Sequence, residues 1–263
     1  MPAPSSVCTA LIPCAGLGTR LLPLTRVLPK ELLPYRGQPM IQHILQELAQ
    51  GGIRRVVLVI RPDKDLLDRH LAEPYAHADR ARCPEPVPEG MELVFVRQSR
   101  AEGLAGALLA SRPAVPERFL LVFPDQLLLG SPGAASQLLA ADDGSGSLSA
   151  LVRIPLDELD YFQGARGVAL QGQAPLFEVR GVLAEEDSLP GGPGQVRAFG
   201  RTVLDSSFLD LLGSDPTDAA FGRAVEAHLR RGRHRALLLE GAPVDLGTMG
   251  GYRHYAEGAG RPV

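Results

Sequence analysis

With 263 residues, 45% of them hydrophobic and 22% charged, the chain has the composition of a folded protein with a sizeable core in one or two domains. A formal net charge of -3, 5% aromatic residues and no tryptophan give no footing for a polyanion or for stacking on a nucleic-acid strand. No basic-then-apolar leader and no bilayer-length apolar run is present, so the sequence reads as cytoplasmic, with neither nucleic acid nor membrane as partner.

The first element is TALIPC (Thr9 to Cys14), short, apolar and β-prone, a buried strand. It runs into Gly16 and Gly18, whose bare backbone N–H groups at a sheet edge suit a phosphate. Pro23, Pro29 and Pro34 keep the next stretch from forming one regular helix. MIQHILQELAQGG (Met40 to Gly52) has helical apolar spacing and a double-glycine stop. VVLVI (Val56 to Ile60) is a second strand, DKDLLDRHLA a short helix, ELVFV (Glu92 to Val96) a third strand, GLAGALLAS a helix, and FLLVF (Phe119 to Phe123) a fourth strand. Continuous apolar strands separated by helices predict an α/β fold, a Rossmann-like mixed, mainly parallel sheet with helices on both faces. From about residue 149 the strand candidates shorten: SALVRIP, GVAL, PLFEV and VRAFGRTVL, with a loop at AEEDSLPGGPGQ (Ala184 to Gln195). Helical periodicity returns in SSFLDLL and DAAFGRAVEAHLRR. This second part reads as an extension of the same sheet within a single domain spanning 1–263.

Cys8, Cys14 and Cys83 have no metal-ligand spacing and read as small buried hydrophobes of a reducing compartment. The histidines are scattered and read as surface or packing residues. Lys30 and Lys64 are the only lysines, every other basic side chain being arginine.

Three places carry chemistry. In the opening loop, Thr19 adds a hydroxyl, Arg20 a fixed cation and Lys30 a mobile one, a set able to clamp a triphosphate. The loop lacks the third glycine of a dinucleotide fingerprint and the Gly-Lys-Ser/Thr of a P-loop, and its glycines alone point to no more than a tight βα turn. VFPDQ places Asp125 at the carboxyl end of the fourth strand, where open α/β sheets bind ligands, although a lone aspartate there is also a common turn former. PVDLGTMGGY ends an apolar stretch on Asp245, crowded by Gly247, Gly250 and Gly251. Two carboxylates plus a phosphate are a usual complement for Mg²⁺, but the sequence leaves open whether the two meet.

The run GLGTRLLPLTRVLPKELLP resembles the signature G-x-G-T-R-(x)-x-P-x-T-(x)-x-x-P-K-x-x-x-P of sugar-1-phosphate nucleotidylyltransferases. QPMIQHILQELAQGGIRRVVLVI, VRQSRAEGLAGAL, FPDQ, RGVAL, FGRTVL, PTDAA and VDLGTMGGY extend the resemblance over nearly the whole chain. It implies the nucleotide-diphospho-sugar transferase type of fold, with a nucleotide-binding half (1–130) and a sugar-phosphate half (149–263). It implies a cytoplasmic, Mg²⁺-dependent transfer of a uridylyl group from UTP to glucose 1-phosphate, giving UDP-glucose and pyrophosphate. The partners are then a nucleoside triphosphate and a sugar 1-phosphate, with a homo-oligomer left open. Carried over, Arg20 and Lys30 are the catalytic cations. Ala15, Gly16, Gly18, Thr19, Glu31, Gln98 and Gly103 bind the nucleotide, with Gln98 and Gly103 on the base. Gly167 and Arg180 meet the sugar phosphate, and Asp125 and Asp245 hold Mg²⁺.

The chain departs from the pattern in two places that bear on substrate. LAEE (Leu183 to Glu186) stands where the family has V-E-K-P, so Glu185 takes the slot of the sugar-phosphate lysine and Arg180 is the alternative cation. GLAGA stands for GLGHA. Another base such as that of dTTP, another phosphorylated acceptor, or a non-catalytic nucleotide-sugar-binding homologue are the competing readings.

Overall fold

The apolar run before the opening loop forms β1 (Thr9–Pro13), which passes into 3-10 turns at Thr19–Leu21, Leu24–Arg26 and Lys30–Leu32 as the prolines interrupt any longer helix. A computed structural model describes residues 6–72, 85–99, 102–162, 168–182, 194–232 and 234–257. The two-residue strands β2 (Pro34–Tyr35) and β3 (Gln38–Pro39) lead into α1 (Met40–Gln50). β4 (Arg55–Ile60), α2 (Asp65–Ala72), β5 (Glu92–Arg97), α3 (Gly103–Ser111) and β6 (Arg118–Val122) complete the alternation. Then come β7 (Gln126–Leu129), α4 (Ala134–Ala141), β8 (Ser147–Ile154), β9 (Val168–Gln173), β10 (Leu176–Val182) and β11 (Gln195–Asp205). A 3-10 helix at Ser206–Leu212, α5 (Asp218–Arg231), β12 (His234–Leu238), β13 (Ala242–Asp245), α6 (Met249–Tyr252) and a π-helical segment at Arg253–Glu257 finish the described fold.

One nine-stranded sheet, in the order β5-β4-β1-β6-β11-β8-β12-β10-β9, runs through both parts of the chain. Only β11 and β10 oppose the direction of the others, so the sheet is mixed and mainly parallel, as the strand pattern predicts. β1, β4 and β6 carry unbroken apolar runs (Ala10 to Ile12, Val56 to Ile60, Phe119 to Val122) because both faces of the sheet are covered there. Ala10, Ile12, Val56 and Leu58 pack beneath α1 and α4, while Leu11, Val57 and Val59 face α3 and α5. α1 buries Met40, Ile41, Ile44, Leu45 and Leu48 on one stripe, each such side chain worth about 1.5–3 kcal/mol of burial.

β7 and α4 are not apparent in the sequence. The fourth strand expected over Phe119 to Phe123 is β6; past the Pro124–Asp125 turn the chain enters a further short strand, β7, which leaves the main sheet to pair with β13. Among the described residues no helix is long and apolar enough to cross a membrane.

Candidate active site

At the carboxyl ends of β1, β5 and β6 lies a cleft of about 420 Å³. Ala15, Gly16, Gly18, Thr19, Arg20, Lys30, Gln98, Gly103 and Asp125 line it, joined by Leu17, Asp218 and Gly247. The opening loop is closed on itself. Gly18 has φ 67°, Thr25 Oγ1 donates to its carbonyl at 2.9 Å, and a Cβ on Gly18 would lie 2.8 Å from Thr25 Cγ2. A side chain there would therefore be strained twice over. Gly16 has no atom within 4 Å of where its Cβ would stand, so its backbone is open to a ligand.

At one end of the cleft the two aspartates meet. β7 and β13 pair antiparallel with Asp245 opposite Gln126, and Leu246 N donates to Asp125 O at 2.8 Å. A Cβ on Gly247 would lie 2.8 Å from Asp125 Oδ2 and 3.1 Å from Asp245 Oδ1, so these oxygens are about 6 Å apart or closer, within the span of one hydrated octahedral cation. Burial, with the charge of Asp125 adding to it, pushes Asp245 up to about 7 against hydrogen bonds from Gln126 Nε2 (2.9 Å) and Gly247 N (2.8 Å). Burial also opposes the charge on Asp125, but Lys30 Nζ at 2.7 Å outweighs it and holds that carboxylate below the usual range. Lys30 is itself desolvated, yet Asp125 and then Glu31 keep it firmly protonated. Arg20 acts on both carboxylates.

No group of three or more His, Cys, Asp or Glu side chains suited to a metal occurs among the described residues. Two buried, mutually repelling carboxylates fit a cation that takes its remaining oxygens from phosphate and water, which is the habit of Mg²⁺.

Gln98 and Gly103 also line the cleft. Gln98 is 3% exposed, and neither its amide N nor its amide O has a hydrogen-bond partner among the described residues. A buried amide left unpaired is unfavourable by about 1–3 kcal/mol, so Gln98 holds donor and acceptor capacity that no described protein group uses. Asp218 accepts from Leu104 N at 3.0 Å and presses on Gly103, where φ is 77° and a Cβ would collide with Asp218 Oδ1.

Two expected site residues fall elsewhere. Glu31 does not line the cleft: the tight turn at Lys30–Leu32 sends Lys30 toward the ligand space and Glu31 inward, fully buried, to Lys64 at 2.8 Å. Arg180 lies exposed on β10, bonded to Glu178 (2.5 Å) and to Gln171 Oε1 (2.7 Å), beside a separate pocket of about 180 Å³. Gly167 lies outside the described residues, as do Glu185, nearly all of the Ala184 to Gln195 loop, and Cys83.

A family model described as Nucleotidyl transferase matches residues 9–157, more than half of the chain. The chain belongs to this family. Among curated relatives, the UTP–glucose-1-phosphate uridylyltransferase of Klebsiella pneumoniae is 30% identical, over 92% of this chain and 89% of that protein. The enzyme of the same name from Haemophilus influenzae is 28% identical over 92% and 90%. Two solved structures share the fold. The UTP-bound UGPase of Acinetobacter baumannii matches with a TM-score of 0.78 and 24% identity, over 94% of this chain and 90% of that one. A UDP-glucose pyrophosphorylase complexed with UDP-glucose matches with a TM-score of 0.78 and 23% identity, over 94% and 95%.

Beyond its signature loop, this nucleotidyl transferase relies on residues that motif reading passes over. Arg201 is fully buried and pairs with both oxygens of Glu47 (3.0 and 2.8 Å). It also donates to the carbonyls of Phe123 and Gln126, which bracket Asp125. Gln126 links Gly200 N to Asp245 Oδ2. A charged residue inside an apolar strand pattern was the available signal for Arg201, and the PTDAA match was the signal for Asp218.

Proposed function

We propose that this chain transfers a uridylyl group from UTP to glucose 1-phosphate, releasing pyrophosphate and forming UDP-glucose. The observation that carries this reading is the pairing, in one cleft, of the unpartnered Gln98 amide with the cationic loop and the two converging aspartates. A carboxamide offers one acceptor and two donors, the complement of the imide edge of uracil. The backbone of Ala15 to Gly18 and the hydroxyl of Thr19 cradle the phosphates. Arg20 and Lys30 neutralise charge building on the reacting and departing phosphates, which is the main demand of in-line phosphoryl chemistry. Lys30 also keeps Asp125 ionised.

Asp125 and Asp245 would hold Mg²⁺, which, when bound, supplies charge neutralisation at the phosphates. Residues 1–130 then form the nucleotide half of one domain and 149–263 the sugar-phosphate half. The like-named Klebsiella and Haemophilus relatives support the choice of UTP and glucose 1-phosphate.

Pyrophosphate release tests the reading, measured with UTP, dTTP, ATP, CTP and GTP against a panel of sugar 1-phosphates. UTP with glucose 1-phosphate should turn over fastest. Because uracil and thymine share the imide edge, dTTP should follow and the purines should trail. Release that is equal for ATP and UTP refutes the role given to Gln98.

A further inference from the structure

The opening loop leaves the sheet at Cys14 and delivers its catalytic lysine at residue 30, and one side chain holds both ends from beneath. Lys64 lies in the connection between β4 and α2, next to β1 in the sheet. Its Nζ stands 2.5 Å from Cys14 O and 2.8 Å from Glu31 Oε2. Cys14 and Glu31 have no exposure and Lys64 has 7%. None of the three lines the cleft.

Taking a lysine and a carboxylate out of water is unfavourable before their attraction is counted, and well-packed apolar residues often do as well or better for stability. Stability alone is therefore a poor reason for an ion pair at this spot. The position offers another. Cys14 O immediately precedes the amides of Ala15 to Gly18, and Glu31 immediately follows Lys30. Fixing these two atoms against one ammonium group fixes the separation between the phosphate-facing backbone and the phosphate-facing lysine.

We propose that Lys64 is a positioning residue that presets the triphosphate-binding loop by tying the exit of β1 to the Lys30 turn. The inference rests on the nucleotide reading of the cleft. Lys64 touches no substrate; it lowers the ordering that the loop must undergo on binding, which is where preorganised sites gain affinity. The effect belongs to the nucleotide and not to the sugar phosphate.

The test compares wild type, Lys64→Met and the double variant Lys64→Met/Glu31→Met. Thermal unfolding, equilibrium binding of UTP with Mg²⁺ and no acceptor, and steady-state kinetics are measured on each. Lys64→Met alone strands a buried carboxylate and is expected to melt early or not to fold. The double variant removes both charges, so it should melt close to wild type while its Kd for UTP rises roughly tenfold or more. Its KM for glucose 1-phosphate should change less than about threefold, since the tie acts on the nucleotide loop alone. A merely structural pair predicts that UTP affinity returns with stability. Wild-type UTP affinity in the folded double variant, or an equal rise in both substrate constants, overturns the proposal. A wild-type protein that binds no UTP would instead overturn the reading of the cleft, before any variant is made.

Discussion

Gly106 is where the proposed base recognition is most easily broken without touching a contact residue. It lies in α3 beneath the Gln98 side chain, and a Cβ built on it falls 2.6 Å from Gln98 Nε2 and 2.6 Å from Glu102 Cβ. Atoms do not approach so closely, so in Gly106→Ala something moves. The Gln98 amide is the end of a flexible side chain and shifts more cheaply than a residue anchored at the helix start. Its hydrogen bonds to the base are then lost or misaligned. Leaving buried polar atoms unpaired costs about 1–3 kcal/mol, and each 1.4 kcal/mol is a decade. The kcat/KM for UTP should therefore fall roughly 5- to 150-fold.

Helix propensity works the other way, since alanine is favoured over glycine in a helix interior by about 1 kcal/mol. The variant should consequently melt near wild type, which separates a recognition defect from a folding defect. ATP, with no imide edge to lose, should be turned over as slowly as before, so the preference for UTP over ATP narrows. Pyrophosphate release with both nucleotides, alongside a thermal melt, reads all three quantities. A Gly106→Ala protein that keeps its UTP kcat/KM within about twofold refutes the assignment of the base to Gln98.

Arg201→Met leaves the buried Glu47 carboxylate without its counter-charge, with only the Ala135 N–H still donating to it, at about 3–5 kcal/mol. At roughly 2–4 °C per kcal/mol for a chain of this size, calorimetry should show Tm lower by at least about 6 °C, with most of it recovered in Arg201→Met/Glu47→Met. Gly247→Ala would insert a methyl 2.8 Å from Asp125 Oδ2 and 3.1 Å from Asp245 Oδ1. The Mg²⁺ concentration for half-maximal activity should rise about tenfold, and an unchanged requirement would show that these carboxylates do not share the ion. Burial, and then Asp125, raise the folded pKa of Asp245 to about 7, above the roughly 4 of an unfolded aspartate. Its contribution to stability is thus full below about pH 4 and lost as pH rises through about 7. EDTA-treated protein should lose Tm between about pH 5 and pH 8, and Asp245→Asn should flatten that slope; equal slopes count against the shift.

The first half of the fold was legible because its strands and helices differ in period and its breakers are proline and glycine. Thr9–Pro13, Met40–Gln50 and Gly103–Ser111 fall within a residue or two of where pattern and stop signals place them. That the signature loop lines one cleft was legible for a different reason: most of its lining residues are close in sequence. Glu31 shows the limit of that logic. Adjacent to Lys30 in the motif, it points the opposite way in a tight turn, and a linear pattern does not encode which side of a turn faces the ligand.

The pair Asp125 and Asp245 marks the harder limit. Their meeting depends on a four-residue ladder between β7 and β13, segments more than a hundred residues apart, neither of which belongs to the main sheet. Local propensity says nothing about such a partner, because a short apolar strand fits many edges equally well. Polar links narrow the choice in the folded chain. Gln126 reaches Asp245 Oδ2 and Gly200 N together, and Arg201 grips the carbonyls on either side of Asp125. A slip of β13 by one residue would turn Asp245 away from Gln126 and put Val244 or Leu246 in its place, burying an apolar side chain against an unpaired amide. The side chains that hold the register are thus the same ones that orient the carboxylates, so a change at Gln126 should disturb cation binding and strand pairing together.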